Sequence, residues 1–141
     1  MGTLIRAMQT DNNPLVFLAP MSGVTDAPFR KQAERFGAPA TVSEMVASDA
    51  LVNARGDMVR RTTRHDGPGP FILQLAGREP HWMRLAAALA ADAGADVIDI
   101  NMGCPSKQVT VGQSGAALMR DLDLAKTLIE ATLEGAHGRP V

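Results

Sequence analysis

The segment Asn101-Met102-Gly103-Cys104-Pro105-Ser106-Lys107 concentrates the residues best suited to chemistry, and Cys104 is the only cysteine of the chain. Gly103 admits backbone geometry closed to other residues, and Pro105 stiffens the turn beyond the thiol, so Cys104 is expected on a defined loop. A lone cysteine is more often a small buried hydrophobe than a catalyst. Its place between Gly and Pro, with Lys107 near, moves the balance toward function. An ordinary thiol, with a pKa of about 8.5, stays mostly protonated at neutral pH and suits an acid better than a nucleophile. Downstream, Gly112, Gly115, Ala116 and Ala117 form a small-residue loop. Such a loop serves either close backbone approach to a ligand or tight packing.

These residues need elements to hold them. Four short apolar segments are each followed by a stretch of helical character. The first is residues 15–19, closed by Pro20; Thr25 or Asp26 then caps a helix with Pro28 in its first turn and Gly37 as its stop. The second, residues 40–45, precedes a helix expected from Ser48 through Arg61. The third, residues 71–76, precedes a helix over 80–93 with Gly94 at its end. The fourth, residues 96–100, leads through the cysteine loop to a helix over 122–136, and Pro140-Val141 is placed to open a fifth strand.

Strands alternating with helices predict an α/β fold with a parallel sheet of right-handed βαβ units. No Gly-rich dinucleotide fingerprint follows the first strand, which disfavours a doubly wound sheet. Polar residues stand instead at the C-terminal ends of successive strands: Ser22, Glu44, Gln74 and Asn101. In a TIM (β/α)₈ barrel that rim is where the active site is assembled. A complete barrel needs roughly 250 residues. About four β/α units in 141 residues therefore read as the N-terminal half of one, cut before the fifth strand is complete.

Composition sets the outer limits. Hydrophobic residues make up 45% and charged residues 21%, so a packed core is expected and disorder is not. The formal net charge of −1 gives no global pull toward nucleic acid or a membrane. The run Arg55, Arg60, Arg61, Arg64 is the one dense basic cluster and reads slightly better as a solvated helix face. A single cysteine excludes an internal disulfide framework and fits a reducing cytosol. No apolar run reaches the ~20 residues of a membrane span, and residues 1–13 lack the features of a secretory signal, which makes the expected location cytoplasmic. His65, His81 and His137 fall on or near predicted surface turns and are given no catalytic role. The spacing of Asp96 and Asp99 suggests no metal site, and Glu44 reads as structural. Met45, Met58, Met83 and Met119 read as core, and Trp82 as a packing anchor.

Taken together, the motifs carry a resemblance. Residues 18–26, Leu-Ala-Pro-Met-Ser-Gly-Val-Thr-Asp, are similar to the opening motif of the dihydrouridine synthases. Residues 101–105, continuing through Val109 to the stretch 112–119, resemble that family's catalytic signature. Glu44-Met45 and Gln74-Leu75-Ala76-Gly77 fall where the family places its second and third strand ends. The likeness spans roughly residues 14–141 and looks nearest the bacterial B-type branch.

The resemblance implies a TIM barrel carrying FMN, followed in the family by a small helical domain that grips tRNA and is absent from these 141 residues. It implies reduction of uridine to 5,6-dihydrouridine in tRNA, with NADPH as electron source. Pro20, Met21 and Ser22 would line the flavin, Gln74 would bond its polar rim, and Asn101 would orient a flipped uracil. Cys104 would donate the proton to C5. The expected partner is tRNA, with no metal and no membrane. The family's flavin-contacting lysine, its histidine and the phosphate loops of the last strands lie beyond the segment, so the chain alone is not expected to be competent. The alternatives are an FMN-dependent barrel reductase acting on a free pyrimidine or another small molecule, and a non-catalytic regulatory remnant.

Overall fold

The computed structural model describes residues 16–141. Leu15, which opens the first predicted strand, lies outside them, as do the residues read for a secretory signal. The first described helix, α1 (Ala27–Arg35), starts where its residues dictate. Asp26 accepts the Phe29 N–H at 2.9 Å, Pro28 sits in the first turn, and Gly37 follows the end with φ of 96°. Asp26 is thus the cap, and Thr25 has another task. Its buried hydroxyl accepts the Met21 N–H at 3.0 Å and closes the loop that carries residues 21–25.

Two short strands follow, β1 (Thr41–Val42) and β2 (Val46–Ala47), then helices α2 (Ser48–Val52) and α3 (Gly56–Arg61). Strand β3 (Phe71–Ala76) leads to α4 (Pro80–Asp92), and β4 (Val97–Ile100) leads to the short α5 (Lys107–Thr110), a 3₁₀ turn (Gly115–Arg120) and α6 (Leu122–Gly135). The single helix expected over 48–61 is broken. Asn53 binds back to the Asp49 carbonyl, and Ala54 adopts φ of 54°, the left-handed closure that ends a helix. The break turns Met58 inward, with its sulfur 3.4 Å from the Ala47 nitrogen.

All pairing in the sheet is parallel and runs in sequence order. Leu18 makes one bridge to Thr41, β1 and β2 both pair with β3, and β4 pairs on its other side. Ile98 N–H donates to Pro140 O at 3.0 Å, the beginning of a further pairing. Among the described residues the first predicted strand is an isolated bridge, and of the second, expected over 40–45, only Thr41–Val42 is strand, with β2 just past its end. Between the two pairings residues 43–45 stand opposite residues 73–74, three against two, so β1 and β2 are one strand interrupted by a bulge.

The two faces of the sheet differ. Val46, Phe71, Leu73, Leu75 and Ile98 pack with residues of α2, α3, α4 and α6 into one core. The opposite face gathers Ala40, Val42, Ile72 and Val97, with no helical residue among them. The helix layer is tight because Ala86, Ala87 and Ala90 line α4, and because Gly135 of α6 stands where a Cβ would collide with the Arg84 carbonyl. This α/β architecture with a parallel sheet is consistent with part of a TIM-like barrel.

Several side chains depart from expectation. His65 is buried, its Nε2 lying 2.9 Å from Glu34 Oε1 without hydrogen-bond alignment. Glu34 also takes the Thr41 hydroxyl and the Gly69 N–H. Beside them Arg30 donates to the Thr25 and Thr63 carbonyls and lies over the Phe71 ring. Burial pushes its pKa down, against the opposing pull of Asp26, Glu34 and Glu44. The surface reading of His65 thus fails because a buried carboxylate draws the ring in. Met119 is 61% exposed and not core, whereas Met58 and Met83 are buried. The arginine run is only partly a solvated face. Arg61 reaches the Met45 carbonyl at 2.8 Å, and Arg64 binds Asp96 at the opposite end of the sheet.

Candidate functional site

Strand β3 is buried throughout, yet its fourth residue is a glutamine. Gln74 lies directly across from Asp99 in the β3–β4 register, so the two side chains emerge on the same face. That face also carries Ile72 and Val97, the side that gathers no helix among the described residues. Gln74 Nε2 donates to Asp99 Oδ2 at 2.6 Å, and Asn101 Nδ2 donates to Gln74 Oε1 at 2.9 Å. Asn101 Oδ1 in turn accepts the Cys104 N–H at 3.0 Å and the Gly103 N–H at 3.3 Å. Three side chains and one loop form a continuous polar chain at the C-terminal end of the strands.

The backbone around Gln74 depends on the bulge. Ser43 N–H still donates to Ile72 O at 2.9 Å, but the extra residue takes the next strand carbonyl out of register. The Ser43 hydroxyl replaces it, accepting Gln74 N–H at 3.0 Å and donating to Glu44 O at 2.9 Å. Ser43→Ala would leave a buried N–H without an acceptor, a loss of about 1–3 kcal/mol. Denaturant unfolding should show a lower midpoint with the slope unchanged, the drop being that loss divided by the slope. A variant as stable as the wild type would remove Ser43 from this role.

Cys104 is half-buried on the loop after β4 and outside the hydrophobic core. The loop is held from both sides. Asn101 takes its N–H groups, while the Cys104 carbonyl accepts Ala116 N–H at 3.0 Å. Gly115 adopts φ of 61°, and a Cβ there would stand 2.7 Å from the Cys104 carbonyl oxygen. The small-residue loop therefore serves packing at this point: it docks against the cysteine.

Pro20, Met21 and Ser22 sit on the loop after the Leu18 bridge, with Met21 and Ser22 exposed. Glu44 ties this loop to the bulge by accepting Gly23 N–H at 2.6 Å, and Arg61 stands 3.8 Å from the same carboxylate oxygen. The structural reading of Glu44 is met, and what it holds is the loop of residues 20–22. The structure thus joins Gln74, Asn101 and Cys104 directly, and brings Pro20, Met21 and Ser22 to the same end through Glu44.

Two cavities lie beside this chain without containing it. One, of about 350 Å³, opens between the β3–α4 loop and the cysteine loop and is lined by Gly77, Trp82, Val109 and Gly112. The other, of about 470 Å³, lies between α1 and α3 among Arg30, Glu44, Arg60 and Arg61. Among the described residues no group of three or more His, Cys, Asp or Glu is placed to hold a metal ion. No described helix is long and apolar enough to cross a membrane.

Sequence reasoning missed Asp99 and Ser43 as members of the site. The signal for Asp99 was its position two residues before Asn101, which puts both on one face of a strand. Nothing local marked Ser43, because its role arises from a bulge visible only across the sheet.

Comparison with known proteins follows the same residues. Residues 17–141 match the model of the dihydrouridine synthase (Dus) family. A protein named probable tRNA-dihydrouridine synthase from Rhizobium leguminosarum bv. phaseoli is 60% identical over 119 residues, covering 84% of this chain and 37% of that protein. One of the same name from Rhodobacter capsulatus is 52% identical over 130 residues, covering 92% of this chain and 40% of that protein. A protein named tRNA-dihydrouridine synthase B from Xanthomonas campestris pv. campestris is 45% identical over 120 residues, covering 85% of this chain and 36% of that protein. The chain spans well under half the length of these curated relatives. A match that runs from Phe17 to the last residue, taking in the Cys104 loop and the strands that support it, shows that the chain belongs to the dihydrouridine synthase family.

Proposed function

We propose that this segment is part of a cytoplasmic, flavin-dependent enzyme that reduces uridine in tRNA to 5,6-dihydrouridine with electrons from NADPH. The observation that carries the reading is the polar chain from Gln74 through Asn101 to the Cys104 loop, in a chain of this family. Strands in sequence order, with the described helices on one face, support the first half of a (β/α)₈ barrel of about four units. A doubly wound sheet would place helices on both faces.

The residues present fit the edge of an FMN ring. Gln74 Nε2 spends one hydrogen on Asp99 and keeps a second for a flavin nitrogen or oxygen. Ser22 is exposed at the same end, beside Pro20 and Met21, and offers a hydroxyl and an N–H. Bound and reduced, FMN would supply a hydride to C6 of the uracil. The protein's own part is the other half of the reaction. Cys104 Sγ–H gives its proton to C5 as the C5=C6 bond is saturated, and the thiolate regains a proton from solvent. Asn101 uses one amide hydrogen on Gln74 and has the other for a uracil carbonyl. Its oxygen, meanwhile, fixes the loop that bears the thiol. A uridine in folded tRNA must leave its stack to reach these groups.

The test is an assay of the complete enzyme containing this segment, with NADPH and unmodified tRNA or free uracil. Dihydrouridine in tRNA, with free uracil untouched, is the expected result. Reduction of the free base alone would replace this reading by a small-molecule reductase. An absence of flavin and turnover in the complete protein would leave the regulatory alternative.

A further inference from the structure

We propose that Asp99 is a positioning residue for this site: it sets the direction in which the amides of Gln74 and Asn101 point and, through them, the seat of Cys104. The inference rests on the reading of Cys104 as proton donor.

Polarity dictates these directions. An ionised carboxylate can only accept hydrogen bonds, and a backbone N–H can only donate. Asp99 therefore obliges Gln74 to turn its NH₂ toward β4, at 2.6 Å, and its oxygen toward Asn101. Asn101 must then present its NH₂ to Gln74, at 2.9 Å, which leaves Oδ1 for the cysteine loop. At the far end the N–H groups of Gly103 and Cys104 demand the same orientation. Both ends agree, so each amide has one arrangement in place of two. The free amide hydrogens of Gln74 and Asn101 are aimed as a by-product. Without Asp99, Gln74 can rotate, and the Asn101 side chain loses its fixed acceptor.

The chain offers a direct probe, since Cys104 is its only thiol. The rate of alkylation by iodoacetamide across pH reports how firmly the loop is seated, with circular dichroism melting as the check on folding. Asp99→Leu should raise the rate roughly tenfold, the size expected from losing one hydrogen bond to a charged group. Asp99→Asn keeps an acceptor oxygen and should restore most of the protection. A second comparison does not depend on Asp99→Leu folding. Asn101→Asp puts carboxylates at both ends of Gln74 and should also speed alkylation. Combining it with Asp99→Asn reverses the whole chain and should slow alkylation again, a non-additive outcome. An unchanged rate in Asp99→Leu, an Asp99→Asn variant as reactive as Asp99→Leu, or simple additivity in the double variant would each overturn the proposal. In the complete enzyme, Asp99→Leu should lower kcat with KM for tRNA little changed. A wild-type enzyme that makes no dihydrouridine would discard the functional reading and leave the thiol result standing. Failure of the thiol test with an active wild type would discard Asp99 alone.

Discussion

Replacing Cys104 with alanine in the complete enzyme should leave FMN bound and cut dihydrouridine formation by roughly 10²–10⁴-fold, the usual contribution of a positioned acid. The thiol stands on the loop that follows β4, half-buried, on a backbone held by Asn101 and Ala116. Removing Sγ takes away the proton and leaves that backbone untouched. The Gln74 amide, bonded to Asp99 and Asn101, is likewise unaffected. Flavin absorbance in the purified variant should therefore match the wild type while single-turnover reduction of tRNA collapses. Wild-type turnover in this variant would show that the proton comes from elsewhere.

The second large effect concerns the 141 residues by themselves. The chain is expected to bind FMN weaker by orders of magnitude than the complete enzyme and to leave tRNA unreduced. On the proposed reading a flavin would be clamped from both halves of a barrel, and this segment would offer Pro20, Met21, Ser22 and Gln74 toward the ring. The phosphate normally rests on loops after the seventh and eighth strands. Each charge-assisted hydrogen bond forgone is worth roughly 1.5–3 kcal/mol, and every ~1.4 kcal/mol is a factor of ten in affinity. An FMN titration followed by an NADPH-driven assay on unmodified tRNA decides the matter. Micromolar binding with measurable dihydrouridine would show the remaining strands to be dispensable.

Much of the scaffold was legible because its signals are local. The run Phe71–Ala76 is a strand in both sequence and structure, and the helices after Pro80 and Leu122 end within a residue of expectation. Asp26 and Asp121 cap helices through side-chain oxygens, and Gly37 and Gly94 follow helix ends with positive φ. What resisted reading was set by partners distant in sequence. The strand over residues 40–47 splits because Ser43 can supply from its side chain what the bulge removes from the backbone. The helix over residues 48–61 breaks where Met58 must turn toward the sheet. His65 is drawn inward by Glu34, thirty-one positions earlier in a helix. At the site, the types of Gln74, Asn101 and Cys104 were visible, but their linkage was not. It requires the β3–β4 register, which pairs Gln74 with Asp99, and no periodicity in one strand reveals its neighbour.

The order of the strands bears on how such a protein is made. With β1 and β2 counted as one strand, each strand hydrogen-bonds to the one before it or the one after it, so a chain leaving the ribosome can add one unit at a time without waiting for a distant partner. The helix-covered layer can close early. The face with Val42, Ile72 and Val97 cannot, since among the described residues it gathers no helix. During synthesis that face is left open to chaperones and to aggregation, and the edge beyond β4, engaged among the described residues by Pro140, is free to accept a further strand. The Cys104 loop and its polar supports, all built from residues 43–116, would then be in place before α6 has been translated.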